Sequence, residues 1–61
     1  MVTNIGRRIL LTDLRVFGTV VDETSTSFIV KGKDDADYQR LVSSRYWYFV
    51  SQDEFDSEKV R

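Results

Sequence analysis

The run Arg45-Tyr46-Trp47-Tyr48-Phe49 contains the residues best suited to binding chemistry. Bases of single-stranded nucleic acid stack on exposed aromatic rings, and an adjacent guanidinium can hold a phosphate. In a strand, however, Tyr46 and Tyr48 lie on one face and Trp47 and Phe49 on the other, so one pair fills the core of a small barrel. The pattern leaves open which pair is inside.

The aromatic pair on the outer face would lie exposed on an edge strand, where another chain is expected to cover it. This predicts a subunit interface near the end of the chain. The residues that we assign to it are Tyr46, Tyr48, Val50 and Val60.

Arginines at positions 7, 8 and 15 are the strongest candidates for a phosphate-binding patch, provided that the first two strands pair. The chain as a whole carries nine basic and ten acidic residues, a formal charge of −1. Because phosphate binding usually shows as a basic excess, this balance argues against a general electrostatic binder of nucleic acid. Ordinary solvated charges are the alternative role for the three arginines.

Catalytic and metal chemistry find little support, because the chain has neither histidine nor cysteine. Thr24 and Ser51 therefore lack a histidine to activate them, and zinc lacks its usual ligands. The segment Asp34-Asp35-Ala36-Asp37 is similar to the start of a calcium loop but lacks its glycine and distal glutamate. We expect a protein that is not an enzyme and has no cofactor or metal.

The sequence also bears on where the protein works. Without cysteine it is compatible with a reducing compartment, and no secretory signal pattern is present at its start. No apolar run approaches the roughly 18 residues of a membrane helix. We expect a cytoplasmic protein that does not bind membranes.

Strand signals dominate the first half of the chain. Residues 5–12 are rich in apolar residues and could form a first strand or a helical turn leading into one, and we favour the strand. Residues 15–23 alternate well, with Gly18 at a point where a strand would bend or approach another backbone. The polar residues 23–27 predict a turn, and residues 28–31 return to strand chemistry. The first half therefore predicts a strand followed by a hairpin.

The second half changes period after Gly32. Residues 33–42 predict a short helix or a long loop, because three apolar residues have helical spacing: Tyr38, Leu41 and Val42. A strong strand is expected over residues 45–51. Ser51-Gln52-Asp53-Glu54 has the spacing of a capping box, which predicts a helical turn, and a short last strand is expected over residues 58–60.

Together these elements predict one mostly β domain over residues 1–61: a small, strongly bent, five-stranded barrel with a short helical insertion. A chain of 61 residues can bury only a small core. With no disulfide or zinc site to stabilise it, we expect self-association.

Three segments resemble the first half of Sm-like proteins, the family that includes bacterial Hfq: Gly6 to Leu11, Asp13 to Val20, and Ser27 to Val30. The resemblance implies a bent five-stranded barrel whose last two strands pair with a neighbour, closing a ring that binds single-stranded RNA. This chain differs in lacking a glycine in the Asp13-Leu14-Arg15 turn and the Arg-Gly signature before the last strand. The RNA-binding residues that the resemblance and the charges imply are Arg7, Arg8, Arg15, Thr24 and Ser27.

Two functions remain open, of which we favour the first. The first is a homo-oligomeric, ring-forming, Sm-like protein that binds single-stranded RNA, which the resemblance favours. The second is an adaptor or inhibitor of the kind phages encode, which binds another protein and no nucleic acid. The near-neutral charge favours the second function.

Overall fold

The computed structural model describes residues 3–59, which form one antiparallel sheet and one short helix. The strands follow the order β4-β3-β2-β1-β5 and curl strongly into a half-barrel. The predicted mostly β fold is confirmed. The elements are β1 Arg8–Leu11, β2 Val16–Glu23, β3 Ser27–Gly32, β4 Asp37–Leu41, β5 Trp47–Phe49 and α1 Gln52–Ser57.

Alternation along the strands places the core on the concave face of the half-barrel. Ile9 and Leu11 from β1 are fully buried there, together with Val20, Phe28 and Val30. The partly buried residues packed against this cluster are Tyr38, Trp47 and Phe49. Trp47 and Phe49 are therefore the inward-facing aromatic pair of β5, and the two tyrosines face outward.

Gly18 lies at a point where β2 and β3 approach each other closely. A Cβ built on it would lie 2.7 Å from both the Lys31 carbonyl oxygen and a Val30 methyl carbon. The β-bulge of this hairpin is three residues further along, where the register shifts between Val20 and Asp22. Gly18 thus allows close backbone approach, and the bulge adds twist to the strand.

The predicted helix or long loop over residues 33–42 is wrong, because residues 37–41 of this segment form the edge strand β4. Val30 pairs with Tyr38, and Ser27 with Leu41, across an antiparallel ladder. Asp34 and Asp35 shape the preceding turn: the Asp34 carboxylate accepts from the Ala36 N–H, and Asp35 adopts a φ of 66°. Pairing with β3 overrides the helical spacing of the apolar residues.

The capping box is confirmed. The Ser51 hydroxyl accepts from the Glu54 N–H at 3.1 Å, and the Glu54 carboxylate accepts from the Ser51 N–H at 2.9 Å, so α1 begins at Gln52. Glu58 ends the helix in the left-handed conformation. The strand expected over residues 58–60 is absent at Glu58 and Lys59; Val60 lies outside the described residues. Within residues 3–59 no helix is long and apolar enough to cross a membrane.

Candidate interaction surfaces

The outer edge of β4 presents unpaired backbone groups. The Val42 N–H donates to the Thr26 carbonyl, and the Gly32 N–H donates to the Ala36 carbonyl. Since hydrogen-bonded pairs alternate along an antiparallel ladder, the N–H and C=O groups of Asp37 and Gln39 point away from β3. This edge can accept a further strand.

The outer edge of β5 is similar. The Thr12 N–H donates to the Tyr46 carbonyl, and the Val50 N–H donates to the Arg8 carbonyl. By the same alternation, the backbone groups of Trp47 and Phe49 point outward. Each of the two edges of the sheet therefore offers outward residues that are spaced two apart.

Exposed apolar side chains cluster beside these edges. Leu41 at the end of β4 is 55% exposed, and Val42 after it is also exposed. Tyr46, just before β5, is 52% exposed. Tyr48 is 38% exposed, whereas Val50 is half-buried. Three of the predicted interface residues are thus near the β5 edge, and Val60, the fourth, lies outside the described residues.

Arg40 links the two edges of the sheet. Its guanidinium pairs with the Asp13 carboxylate at 2.8 Å and donates to the Tyr46 carbonyl at 3.2 Å. The hydrogen bond from Arg40 is the largest cause that lowers the pKa of Asp13 below its ordinary value. Arg40 belongs to β4 and Tyr46 precedes β5, so this hydrogen bond connects the two edge strands across the open side of the half-barrel.

The three predicted phosphate-binding arginines do not form one patch. The Arg7 guanidinium lies 3.7 Å from the centroid of the Phe49 ring. Arg8 lies 4.3 Å from the Phe55 ring centroid and donates to Thr19. Arg15 is at the opposite end of the β1–β2 hairpin, immediately before Val16, which pairs with Leu11.

The two hydroxyl residues of the predicted RNA site have structural roles. The Thr24 hydroxyl accepts from the N–H groups of Thr26 and Ser27, at 3.3 and 3.0 Å, and so shapes the β2–β3 turn. Ser27 is only 2% exposed, and its hydroxyl accepts from the Gln39 side-chain amide at 3.3 Å. Its burial removes Ser27 from the accessible ligand-binding residues.

A groove of about 500 Å³ lies on the convex face of the sheet, opposite the core. Leu10, Phe17 and Tyr48 are neighbours there, because Leu10 pairs with Phe17 on one side and with Tyr48 on the other. The complete lining is Leu10, Thr12, Arg15, Phe17, Tyr48 and Glu58. Of these residues the sequence predicts only Tyr48 and Arg15 as site residues, because the others meet only when the sheet is assembled.

Two further carboxylates accept hydrogen bonds in the fold. Glu23 accepts from the Thr3 hydroxyl at 2.7 Å and from the Asn4 N–H at 3.2 Å, and these bonds lower its pKa. Asp34 accepts from the Tyr38 hydroxyl at 2.6 Å, which lowers the pKa of Asp34 and raises that of Tyr38. Across residues 3–59 no group of three acidic, histidine or cysteine side chains is arranged to hold a metal ion.

Comparison with protein-family models, with curated protein sequences and with solved structures finds no match to this chain.

Proposed function

We propose that this protein is a non-catalytic interaction module that works as a homo-oligomer, joined through its two edge strands, and that its further ligand is another protein. The observation that carries the proposal is the pair of open edges. Asp37 and Gln39 on β4 and Trp47 and Phe49 on β5 present outward backbone groups at matching spacing.

Pairing β4 of one copy with β5 of the next would bury the exposed apolar residues beside these edges, Leu41, Val42 and Tyr46. Such a contact is heterologous, because it joins two different surfaces. It generates a ring where the rotation between copies closes and a filament where it does not. The ring implied by the Sm-like resemblance is the closed form of this assembly.

A protein ligand is favoured over single-stranded RNA by the positions of the basic residues. Arg7 and Arg8 lie on aromatic rings, and Arg15 is at the other end of their hairpin. The carboxylates of α1, Asp53, Glu54 and Asp56, would repel a phosphate backbone from the adjacent surface.

The test is the solution mass by light scattering, measured on the wild type and on Gln39→Pro. Proline at this position removes an outward N–H without breaking a β3–β4 hydrogen bond, so it blocks strand addition specifically. We expect a multiple of 7.2 kDa for the wild type and a monomer for the variant. The matched control is Gln39→Ala, which loses the bond to Ser27 but keeps the backbone donor and should remain oligomeric.

A monomeric wild type, or an oligomer that Gln39→Pro leaves intact, would contradict assembly through β4.

A second experiment repeats the mass measurement with a short uridine-rich RNA at low and high salt. A gain of mass that disappears as salt rises would replace the protein ligand by RNA. No gain at either salt would support the protein ligand.

A further inference from the structure

We infer that the convex groove is a docking site for a peptide segment of a partner protein that presents an apolar side chain next to a carboxylate. This goes beyond the proposed self-association, because the groove lies on the convex face and not at the open edges of β4 and β5.

The floor of the groove supplies the apolar part of the recognition. Leu10 and Phe17 are buried neighbours on β1 and β2, and the partly exposed ring of Tyr48 stands beside them. A volume of about 500 Å³ falls within the range of small-ligand pockets. It suits one or two side chains of a peptide. Covering Tyr48 would remove an exposed aromatic surface from water.

The charged residues that line the groove supply the specificity. Glu58 is compensated by Lys33, whose ammonium lies 3.5 Å from its carboxylate. Arg15 lines the groove too and has no carboxylate at ion-pair distance within residues 3–59. The groove therefore offers one uncompensated positive charge beside an apolar floor, which complements a single carboxylate.

The backbone at Arg15 is consistent with a role for its side chain. Arg15 has a φ of 56°, in the left-handed region that glycine occupies most easily. A residue with a long cationic side chain holds this position at a conformational cost, and such costs are frequent at binding sites.

A peptide fits this surface better than an anionic lipid surface or a nucleic acid. The helix beside the groove carries Asp53, Glu54 and Asp56, followed by Glu58. These carboxylates repel a dense array of phosphates. They repel a peptide that brings a single carboxylate to Arg15 much less, because such a peptide carries far less negative charge than a phosphate array.

The test compares two probes by backbone amide chemical shifts of the full chain: N-acetylphenylalanine, which has a free carboxylate, and N-acetylphenylalaninamide, which has none. We expect both to shift the amides of Leu10, Phe17 and Tyr48. The carboxylate probe should bind about two- to five-fold more tightly, since an exposed ion pair contributes this much.

In Arg15→Gln the preference for the carboxylate probe should fall to about one-fold, because the countercharge is gone. The matched control is Arg45→Gln, which removes an exposed arginine that does not line the groove and should keep the preference.

The inference would be overturned by equal affinity of the two probes for the wild type, by a preference that survives Arg15→Gln, by shifts confined to other surfaces, or by no shift at millimolar probe. The solution mass is measured on the same samples. A monomer that binds the carboxylate probe would contradict the proposed self-association and support the docking site in the groove. An oligomer that binds neither probe would support the self-association and contradict the docking site.

Discussion

The close approach of a neighbouring strand restricts which residue type can occupy some positions of this chain, and Gly18 is an example. It sits on β2 against the backbone of β3, where a Cβ would meet the Lys31 carbonyl oxygen at 2.7 Å. Backbone cannot move aside as a flexible side chain can. The absence of a side chain at this position is therefore a condition for the close pairing of the two central strands.

We expect Gly18→Ala to lower the free energy of unfolding by about 2 kcal/mol, in the range typical of overpacking. The measurement is urea denaturation followed by the fluorescence of Trp47. The comparison variant is Gly6→Ala, where nothing lies within 4 Å of the added carbon and only the positive φ of 94° opposes it. That change should cost about 1 kcal/mol. A Gly18→Ala variant no less stable than Gly6→Ala would contradict the close approach.

Among the elements, α1 depends most on local interactions. It has six residues, and its first turn is stabilised by the reciprocal bonds between Ser51 and Glu54. Helices this short are not stable on propensity alone. The cap and the contacts of Phe55 with Arg8 and Lys33 hold α1 on the sheet.

Ser51→Ala should destabilise the protein by about 1 kcal/mol, because it leaves a helix N–H without its acceptor. Amide exchange of residues in α1 should accelerate in the same variant. Ser57→Ala is the matched control in this helix, since the Ser57 hydroxyl only donates back to the Asp53 carbonyl, a bond that adds little. Equal effects of the two substitutions would argue against the cap as the stabilising interaction.

At the scale of the whole molecule, three carboxylates are held by hydrogen bonds in the fold, and those of Asp13 and Glu23 join segments distant in sequence. Asp13 binds Arg40 of β4, Glu23 binds the segment at Thr3, and Asp34 binds Tyr38. All three carboxyl pKa values are lowered in the fold, and that of Tyr38 is raised. Each shift makes stability depend on pH.

The two directions of pKa shift lower the stability at opposite ends of the pH range, which gives the stability–pH profile an acid limb and an alkaline limb. A lowered carboxyl pKa contributes stability above about pH 4 that is lost as pH falls through the folded value. The raised pKa of Tyr38 contributes stability below about pH 10 that is lost as pH rises through the folded value. Stability should therefore be greatest between about pH 5 and pH 9.

Urea midpoints measured across this range test the prediction. The triple variant Asp13→Asn, Glu23→Gln, Asp34→Asn should show a much shallower acid limb. Tyr38→Phe should flatten the alkaline limb without changing the acid behaviour of Asp13 and Glu23. An acid limb as steep in the triple variant as in the wild type would place its origin in other groups.

Three features of the fold follow from local sequence. Alternation over residues 15–23 defines β2, the polar residues 23–27 define its turn, and the spacing of Ser51 and Glu54 defines the start of α1. These signals are local, because each depends on side chains that are neighbours along the chain and on the backbone conformations they prefer. The general class of the fold could be predicted on this basis.

Only the tertiary structure decided the remaining features. Residues 37–41 form a strand because they pair with the free edge of β3. The hydrogen bonds and packing of this pairing outweigh the helical preference indicated by the spacing of three apolar residues. The pairing of the strands into one sheet also places Trp47 and Phe49 against the core and buries Ser27. It puts Arg8 and Arg15 at opposite ends of the β1–β2 hairpin. The convex groove also arises only when β1 lies between β2 and β5. Pairing between strands distant in sequence sets these positions, and a single sequence carries no local signal for which strands pair.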